Sequence, residues 1–407
     1  MKKSVLKQYA TLIATVGANV QKGQEVIITA GLDQPEFVAY LAEACYKAGA
    51  KKVRVEWNYD VLTKIHAKYQ KQAVLGKVEE WEKAKLQHMV DTLPCRIFLE
   101  SEDPDGLKGI AQPKYSNAMA ARSKVIKPYR DAIDNVHQWC IAAVPGEKWA
   151  KKVFPHLSKK QAVEALWEAI LFTARAENDP EEAWRAHNED LHARCEFLNS
   201  KHLRKLHYTA DNGTDLTVGL MEQGIFAGGN EATLGGVVYN PNMPTEEVFT
   251  TPKKGEVEGV VYSTKPLSYM GQLIENFCLE FKDGKVASVA AEKNEALLQR
   301  MVEMDENAGY LGECAFVPVS SPINQSGLIF FNTLFDENAA CHLALGMGFD
   351  SCIRDYEQYT KEERMAMGVN DSVIHVDFMI GCESMNITGI TESGEEIAIF
   401  RNGTWAF

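Results

Sequence analysis

The sequence predicts an α+β protein with an N-terminal α/β domain that contains a βαβ unit, followed by a β-rich C-terminal domain. Three observations predict this. A β-branched run at residues 25–30, a helical pattern at 35–48 and an alternating run at 52–57 follow one another at the lengths of a βαβ unit. Beyond about residue 200 the pattern changes to short alternating runs separated by turn signals. A chain of 407 residues also exceeds what one hydrophobic core usually organises, so we expect two domains, at 1–195 and 196–407.

Local patterns predict the elements of the first domain. Residues 25–30 (Glu-Val-Ile-Ile-Thr-Ala) are apolar and β-branched, which is typical of a buried strand. At 35–48 apolar residues recur at helical spacing, and Gly49 suits the position just past the end of a helix. Residues 52–57 alternate in polarity as a strand does, and a helix that joins two strands implies a parallel pair. The glycines nearby form neither a G-x-G-x-x-G nor a P-loop pattern, so no nucleotide site is predicted.

Two further helices are predicted at 158–176 and 179–199. Asp179 is suited to cap the N-terminus of the second helix, because Pro180 follows it and Glu182 lies three residues after Asp179. In the second domain, two alternating runs within 277–290 flank an Asp-Gly pair, which predicts a β-hairpin. A helix is predicted at 292–303, so this domain is β-rich with a few helices.

Charge and cysteine content restrict the class of function. The net charge is −13, from 56 acidic and 43 basic residues. This balance argues against binding of nucleic acid and of anionic membranes, which both require a basic surface, and it favours a small or peptidic substrate. No apolar stretch reaches the length of a signal-peptide core or of a membrane span. The nine cysteines are scattered and form no C-x-x-C pair, so we expect reduced thiols in a cytoplasmic protein.

Two histidines differ from the others in their surroundings. Eight of the ten histidines lie at or before residue 207, mostly in polar or helical segments such as those of His187 and His192, and we expect them at the surface. His375 lies in an apolar strand pattern two residues before Asp377, so both side chains point to one face about 6.6 Å apart. That spacing suits two ligands of one metal, and it equally suits a buried His–Asp hydrogen bond. His342 lies in an apolar run, where a histidine is either a ligand or a hydrogen-bonded core residue.

Two glutamates, Glu247 and Glu313, lie in similar apolar surroundings. Burying an ionised carboxylate is costly unless a cation or a donor compensates it, although a glutamate at a strand edge is commonplace. Together, two glutamates, two histidines and one aspartate form the ligand set of a two-metal hydrolase that uses Zn, Co or Mn. Cys314 and Cys341 each adjoin one of these residues (Glu313 and His342), so on a strand they point to the opposite face, and we expect them to pack in the core.

From end to end, the chain resembles the thermophilic-type metallo-aminopeptidase family that includes aminopeptidase T, aminopeptidase S and PepS. The resemblance rests on many short segments that occur in the family's order. They are Tyr9-Ala10, 17–24, 46–50 with Val53, Trp149-Ala150 with 153–155, 178–180 with Ala183-Trp184, 213–216, 242–252, 326–329 with 332–335, 336–346 and 375–381.

The resemblance implies an enzyme that removes N-terminal amino acids from peptides, with an N-terminal α/β domain and a distinct C-terminal domain that carries two divalent metal ions. It also implies a homodimer whose active sites face an internal cavity, and short peptides with a free amine as substrates. The family's metal ligands fall on Glu247, Glu313, His342, His375 and Asp377. Glu313 is the favoured candidate both for the ligand that bridges the metals and for the catalytic base, and the sequence does not separate these roles.

One position departs from the family pattern. The family has a tyrosine seven residues after the first histidine ligand, and this chain has Phe349, which lacks the hydroxyl. The role of that hydroxyl is therefore absent, or Tyr356, Tyr359 or Arg354 supplies it. Two other functions remain open: a metal-dependent hydrolase of another amide or ester, and a peptide-binding protein with a degenerate metal site, which only Phe349 favours.

Overall fold

The computed structural model describes residues 1–270 and 272–407. The chain forms two compact units. The N-terminal unit contains Met1–Arg185 and Asn230–Pro244, and the C-terminal unit contains Ala186–Gly229 and Thr245–Phe407.

The α-helices of the described residues are α1 (Lys3–Leu12), α2 (Pro35–Ala48), α3 (Asp60–Tyr69), α4 (Gln72–Leu75), α5 (Glu80–Thr92), α6 (Gln112–Ile133), α7 (Glu147–Val153), α8 (Lys159–Thr173), α9 (Pro180–Ser200), α10 (Glu295–Val302), α11 (Pro322–Gln325), α12 (Thr333–Asp336) and α13 (Lys361–Met367). A π-helical turn follows α1, and shorter 3₁₀ turns occur at Glu337–Ala339, Asp350–Cys352 and Tyr356–Gln358. Within the described ranges, no helix has both the length and the apolar character that a membrane span requires.

The strands are β1 (Glu25–Gly31), β2 (Lys52–Asn58), β3 (Cys95–Glu100), β4 (Trp139–Ala143), β5 (Leu203–Thr209), β6 (Asp215–Leu220), β7 (Ala227–Gly228), β8 (Glu231–Ala232), β9 (Val238–Tyr239), β10 (Asn242–Met243), β11 (Val248–Thr250), β12 (Pro252–Tyr262), β13 (Leu267–Tyr269), β14 (Gln272–Lys282), β15 (Lys285–Lys293), β16 (Leu311–Phe316), β17 (His342–Gly346), β18 (His375–Met379), β19 (Asn386–Thr391), β20 (Glu396–Arg401) and β21 (Thr404–Trp405).

The N-terminal unit is built on a parallel sheet with the strand order β10-β4-β3-β1-β2. The predicted βαβ unit is confirmed as β1, α2 and β2, with Val26 opposite Val53 in parallel register. Gly49 ends α2 with φ +112°, a conformation that side chains with a Cβ rarely adopt. Tyr9, Phe37 and Trp167 pack together in the core of this unit, with ring centroids 5.4–6.4 Å apart.

The C-terminal unit is dominated by antiparallel strands. One sheet has the order β18-β17-β16-β11-β7, and we call it the site sheet; a larger one runs β13-β14-β12-β6-β5-β19-β20-β21, with β15 beside β14. The predicted hairpin is confirmed as β14 and β15, joined by Asp283 and Gly284, both with positive φ as a two-residue hairpin turn requires. The helix predicted from residue 292 begins later, at Glu295, because β15 continues to Lys293. The predicted α+β fold class is therefore confirmed.

Candidate metal centre

Strand register in the site sheet brings together residues that are far apart in sequence. Ala344 of β17 lies opposite Glu313 of β16 on one side and opposite Asp377 of β18 on the other. His342 lies opposite Ala315 of β16, two residues beyond Glu313. Directly opposed residues in an antiparallel pair project to the same face, and so do residues two apart on one strand. Glu313, His342 and Asp377 therefore share one face of the sheet.

The two other predicted residues lie on the same face. His375 lies opposite Gly346, two residues beyond Ala344. Glu247 directly precedes β11, whose Phe249 lies opposite Ala315. Alternation along the strand directs Glu247 and Phe249 to one side.

The opposite face of the same strands is apolar. Leu343, Phe378 and Phe316 belong to the main hydrophobic core of the C-terminal unit, and so do Cys314 and Cys341. Burial raises the pKa of both thiols to about 12. The two cysteines next to predicted ligands therefore pack in the core as expected, and their thiols are protonated at neutral pH.

Three short contacts involve all five side chains. Nε2 of His342 is 3.1 Å from Oε2 of Glu247, and Nε2 of His375 is 3.1 Å from Oε2 of Glu313 and 3.3 Å from Oδ1 of Asp377. They form two groups of three whose potential ligand atoms lie within 4.8 Å of one another, and Glu313 belongs to both groups. The Oδ1 atom of Asp377 is buried and accepts no hydrogen bond from the part of the chain that the structure describes. This set of oxygen and imidazole donors fits divalent cations.

Backbone carbonyls orient both imidazoles. Nδ1 of His375 donates a hydrogen bond to the carbonyl of Met347 at 2.7 Å, and Nδ1 of His342 donates to the carbonyl of Ala340 at 3.2 Å. A carbonyl only accepts, so each neutral ring carries its proton on Nδ1 and directs the lone pair of Nε2 towards the carboxylates. Histidines that bind metals in proteins are commonly held in this way.

The crowding of negative charge shifts the pKa values of the cluster. Burial raises the pKa of Glu313 to about 7, and the charges of Glu247 and Asp377 add to this effect. Burial opposes protonation of His342, but its bond to Glu247 and the surrounding carboxylates outweigh burial and raise its pKa to about 10. In the same way the neighbouring carboxylates raise the pKa of His375 well above its usual range. Burial opposes ionisation of Asp377, yet His375 outweighs it and lowers the pKa to about 2. The cluster therefore attracts positive charge strongly.

The structure adds one residue that the sequence reasoning missed. Glu337 begins the 3₁₀ turn after α12, and its pKa lies well above the usual range. Burial is the main cause, followed by the negative charges of Asp377 and Glu247. The only signal in the sequence was its position as the one charged residue in the apolar run that ends at Gly346 and contains His342.

Phe349 lies beside the cluster. Its ring centroid is 4.9 Å from that of His375. The residues considered as substitutes for a tyrosine hydroxyl have contacts of their own: Tyr356 and Tyr359 pack against the buried cluster of Met221, Ile353 and Val369, and Arg354 lines a cavity with Leu203 and Phe226.

The expected surface position of the early histidines is wrong for two of them. His137 is only 6% exposed, because its Nδ1 bonds back to the carbonyl of Ile133 at the end of α6. His187 on α9 retains 10% of its side-chain exposure and donates from Nε2 to the carbonyl of Thr245 at 2.7 Å. Thr245 lies two residues before Glu247, so His187 anchors the segment that carries this carboxylate.

Comparison with known proteins identifies the family. A family model described as thermophilic metalloprotease (M29) matches residues 2–405. Aminopeptidase AmpS of Bacillus subtilis (strain 168) is 43% identical over 405 residues, which cover 99% of this chain and 98% of the relative. Aminopeptidase T of Thermus aquaticus is 38% identical over 402 residues, with 98% of both chains covered.

Two solved structures match the fold of this chain, at different degrees of similarity. Wild-type AmpT from Thermus thermophilus superposes with a TM-score of 0.91 at 38% identity, and the match covers 100% of both chains. A 2,5-dihydroxypyridine dioxygenase from Pseudomonas putida KT2440 has a TM-score of 0.51 at 11% identity, over 98% of this chain and 96% of that chain, and shares the fold alone. On the family match and the full-length identities, the chain belongs to the thermophilic metalloprotease family M29, and the prediction of a metallo-aminopeptidase is confirmed.

Proposed function

We propose that the chain removes N-terminal amino acids from peptides with two divalent cations held by Glu247, Glu313, His342, His375 and Asp377. One observation carries the proposal: two groups of three ligand atoms share a single residue, Glu313. When bound, divalent cations acidify water to give a nucleophile at neutral pH and polarise the peptide carbonyl. Carboxylate and imidazole donors suit Zn, Co or Mn.

Charge supports two cations over one. Glu247, Glu313 and Asp377 converge in a largely buried site, and Glu337 interacts electrostatically with them. One divalent cation would leave the three carboxylates of Glu247, Glu313 and Asp377 with a net negative charge in a region shielded from water, and a second cation removes that excess.

We assign different roles to the two glutamates that the pKa values single out. Glu313 belongs to both groups of ligand atoms, so its carboxylate would serve as a ligand in both groups rather than as the base. Glu337 lies near the cluster and holds its proton more firmly than an ordinary glutamate. In its ionised form, a carboxyl with a raised pKa is a stronger base than an ordinary carboxylate, so Glu337 suits acceptance of a proton from the attacking water and its delivery to the leaving amine.

The preference for a free N-terminus has a chemical basis in the same set of donors and cations. A neutral α-amine offers a lone pair to a divalent cation, and a protonated α-amine pairs with a carboxylate such as that of Glu247. A blocked N-terminus offers neither the charge nor the lone pair. The names of the relatives, AmpS and aminopeptidase T among them, agree with this assignment.

The test combines metal content with activity. The purified chain should hold about two equivalents of metal and hydrolyse amino-acid 4-nitroanilides, lose activity with a chelator and regain it when metal is added back. Glu313→Gln should lower kcat by about 10²–10³ or more, while Glu306→Gln, at an exposed position of the same unit, serves as the matched control. Full activity at one equivalent of metal contradicts the two-metal proposal.

The same assay separates the alternatives. Equal cleavage of N-acetylated and free substrates indicates a hydrolase of other amides or esters. Peptide binding without turnover by the metal-loaded chain indicates a binding protein with a degenerate site.

On the resemblance we further propose a homodimer in the cytoplasm. The full-length similarity to its relatives and the cysteines without disulfides support this. Light scattering at micromolar concentration should report twice the chain mass of 45.4 kDa, and a stable species of the chain mass itself contradicts the dimer.

A further inference from the structure

Two phenylalanines lie beside the candidate metal centre and keep part of their surface exposed: Phe249 and Phe349. Their ring centroids are 5.4 Å apart and their planes meet at 68°, an edge-to-face arrangement. Phe349 also lies 4.9 Å from the ring of His375. We call this pair the aromatic wall.

The register of the site sheet directs the aromatic wall towards the metal ligands. Phe249 follows Glu247 by two residues and therefore projects to the same face. Its opposite neighbours are Ala315 on one adjacent strand and Ala227 on the other. Alanine side chains are too short to cover a phenyl ring, so the sheet itself leaves an apolar surface beside the ligands.

The wall is held in place by the backbone around it. The hydroxyl of Thr251, a fully buried residue, accepts a hydrogen bond from the backbone N–H of Phe349 at 2.8 Å and donates one to its carbonyl at 3.2 Å. Thr251 lies two residues after Phe249, so one short segment carries the first ring and fixes the backbone of the second. Rigid apolar surfaces of this kind discriminate between ligands better than mobile ones.

We propose that the aromatic wall receives the side chain of the substrate's N-terminal residue, so that the enzyme prefers large apolar and aromatic N-terminal residues over small or acidic ones. This rests on the proposed function. The α-amine and the scissile carbonyl of that residue both lie at the metal ligands, and its side chain branches from the carbon between them. It must therefore contact what flanks the ligands, and next to His375 and Glu247 this is the wall.

The physical preference follows from burial. An apolar side chain loses water-exposed surface against the two rings and gains binding free energy. An acidic side chain would lose hydration there and would approach the carboxylate of Glu247, while neither Phe249 nor Phe349 offers it a hydrogen-bond donor. A methyl group, as in an N-terminal alanine, reaches little of the wall.

The test measures kcat/KM of the metal-loaded full chain for the 4-nitroanilides of Ala, Leu, Phe, Glu and Lys. We expect the wild type to favour Phe and Leu over Ala by at least about tenfold, and Phe249→Ala to lower that ratio by a similar factor. Phe249→Leu should lower it less, and it covers the case in which the alanine variant fails to fold. Phe197→Ala is the matched control, because that ring stacks on Phe407 at 3.8 Å in the same unit, and the ratio should not change.

A second measurement does not depend on turnover. Calorimetry with the hydroxamates of phenylalanine and alanine should show the same preference in their dissociation constants, and Phe249→Leu should reduce it. A flat substrate profile in an active wild type, or variants that lower kcat/KM for all substrates equally, overturns the role of the wall while the aminopeptidase function stands. Absence of hydrolysis of every substrate by the metal-loaded chain overturns the proposed function itself.

Discussion

Metal binding to this chain should expel protons, and the number can be worked out from the structure. The neighbouring carboxylates raise the pKa of His342 to about 10 and that of His375 well above its usual range, although burial opposes both shifts. Burial raises the pKa of Glu313 to about 7. Without metal at pH 7, both imidazoles are therefore protonated and Glu313 is about half protonated. Ligation requires neutral imidazole and ionised carboxylate, so loading the site should release about two to three protons per chain.

The sign of the pH dependence follows directly. Protons and cations compete for the same atoms, so metal affinity should rise with pH. Because loading both metal ions releases about two to three protons, the overall binding constant should rise by a factor of about 10²–10³ per pH unit near neutrality. Calorimetric titration at pH 7 in buffers that differ in ionisation enthalpy gives the number of protons released. His207→Asn is the matched control, since His207 pairs with Asp215 at 2.7 Å near the surface and should not change the count. Release of less than one proton, or an affinity that does not change between pH 6 and 8, would refute the reasoning.

The same shifts set the stability of the metal-free chain. The pKa of His342 rises from an ordinary 6.5 to about 10 on folding, and that of Glu313 rises from 4.5 to about 7. Between the unfolded and folded pKa of each group (6.5 and about 10 for His342, 4.5 and about 7 for Glu313), the folded chain binds more protons than the unfolded chain. The free energy of unfolding therefore falls as the pH rises. The opposite shift of Asp377, from 3.8 to about 2, acts only in acid. The thermal midpoint measured with a chelator should therefore fall from pH 5 to pH 9, and added metal should remove most of that fall.

Three further outcomes are expected. Asn338→Ala should lower the free energy of unfolding by about 1–3 kcal/mol, because Asn338 accepts from the buried N–H of Glu246 at 2.7 Å; an unchanged urea midpoint contradicts this. Glu337→Gln should lower kcat by about 10²–10⁴ with little loss of metal; loss of one metal equivalent would instead identify Glu337 as a ligand. Phe349→Tyr should raise kcat by up to about 10²–10³ if its hydroxyl reaches the developing oxyanion; unchanged kcat would rule out a catalytic hydroxyl at position 349.

Strand alternation explains why part of the site could be predicted. His375 and Asp377 are two apart on β18, and period-two geometry alone directs them to one face. The same rule directs Cys314 away from Glu313 and into the core. What alternation does not provide is the neighbour of each strand, because pairing depends on packing across the whole unit. Alternation therefore does not bring His342 to Glu247, 95 positions earlier in the sequence; the resemblance grouped them in one ligand set, and the structure gives their contact.

Residues outside regular strands were harder to predict. Glu337 lies in a 3₁₀ turn, where no hydrophobic period indicates a direction, and its role emerges only from the charges near it. His187 was expected at the surface because its helix is rich in charged residues. It is instead turned inward, to a carbonyl in a segment 58 residues away. The composition of the surrounding sequence describes only a residue's neighbours along the chain. The burial and the contacts of its side chain also depend on residues that are distant in sequence.

The two faces of the site sheet together explain why metal and fold depend on each other. One face packs Leu343, Phe378 and the thiol of Cys314 into the core, which fixes the strands in register. That register then forces Glu313 and Asp377 together on the other face, where their charges repel at short range in a region shielded from water. Protons neutralise part of this charge at neutral pH and below, but divalent cations neutralise it more completely. The apolar face therefore contributes to metal affinity without contacting the metal, because it stabilises an arrangement of carboxylates that is unfavourable until cations bind.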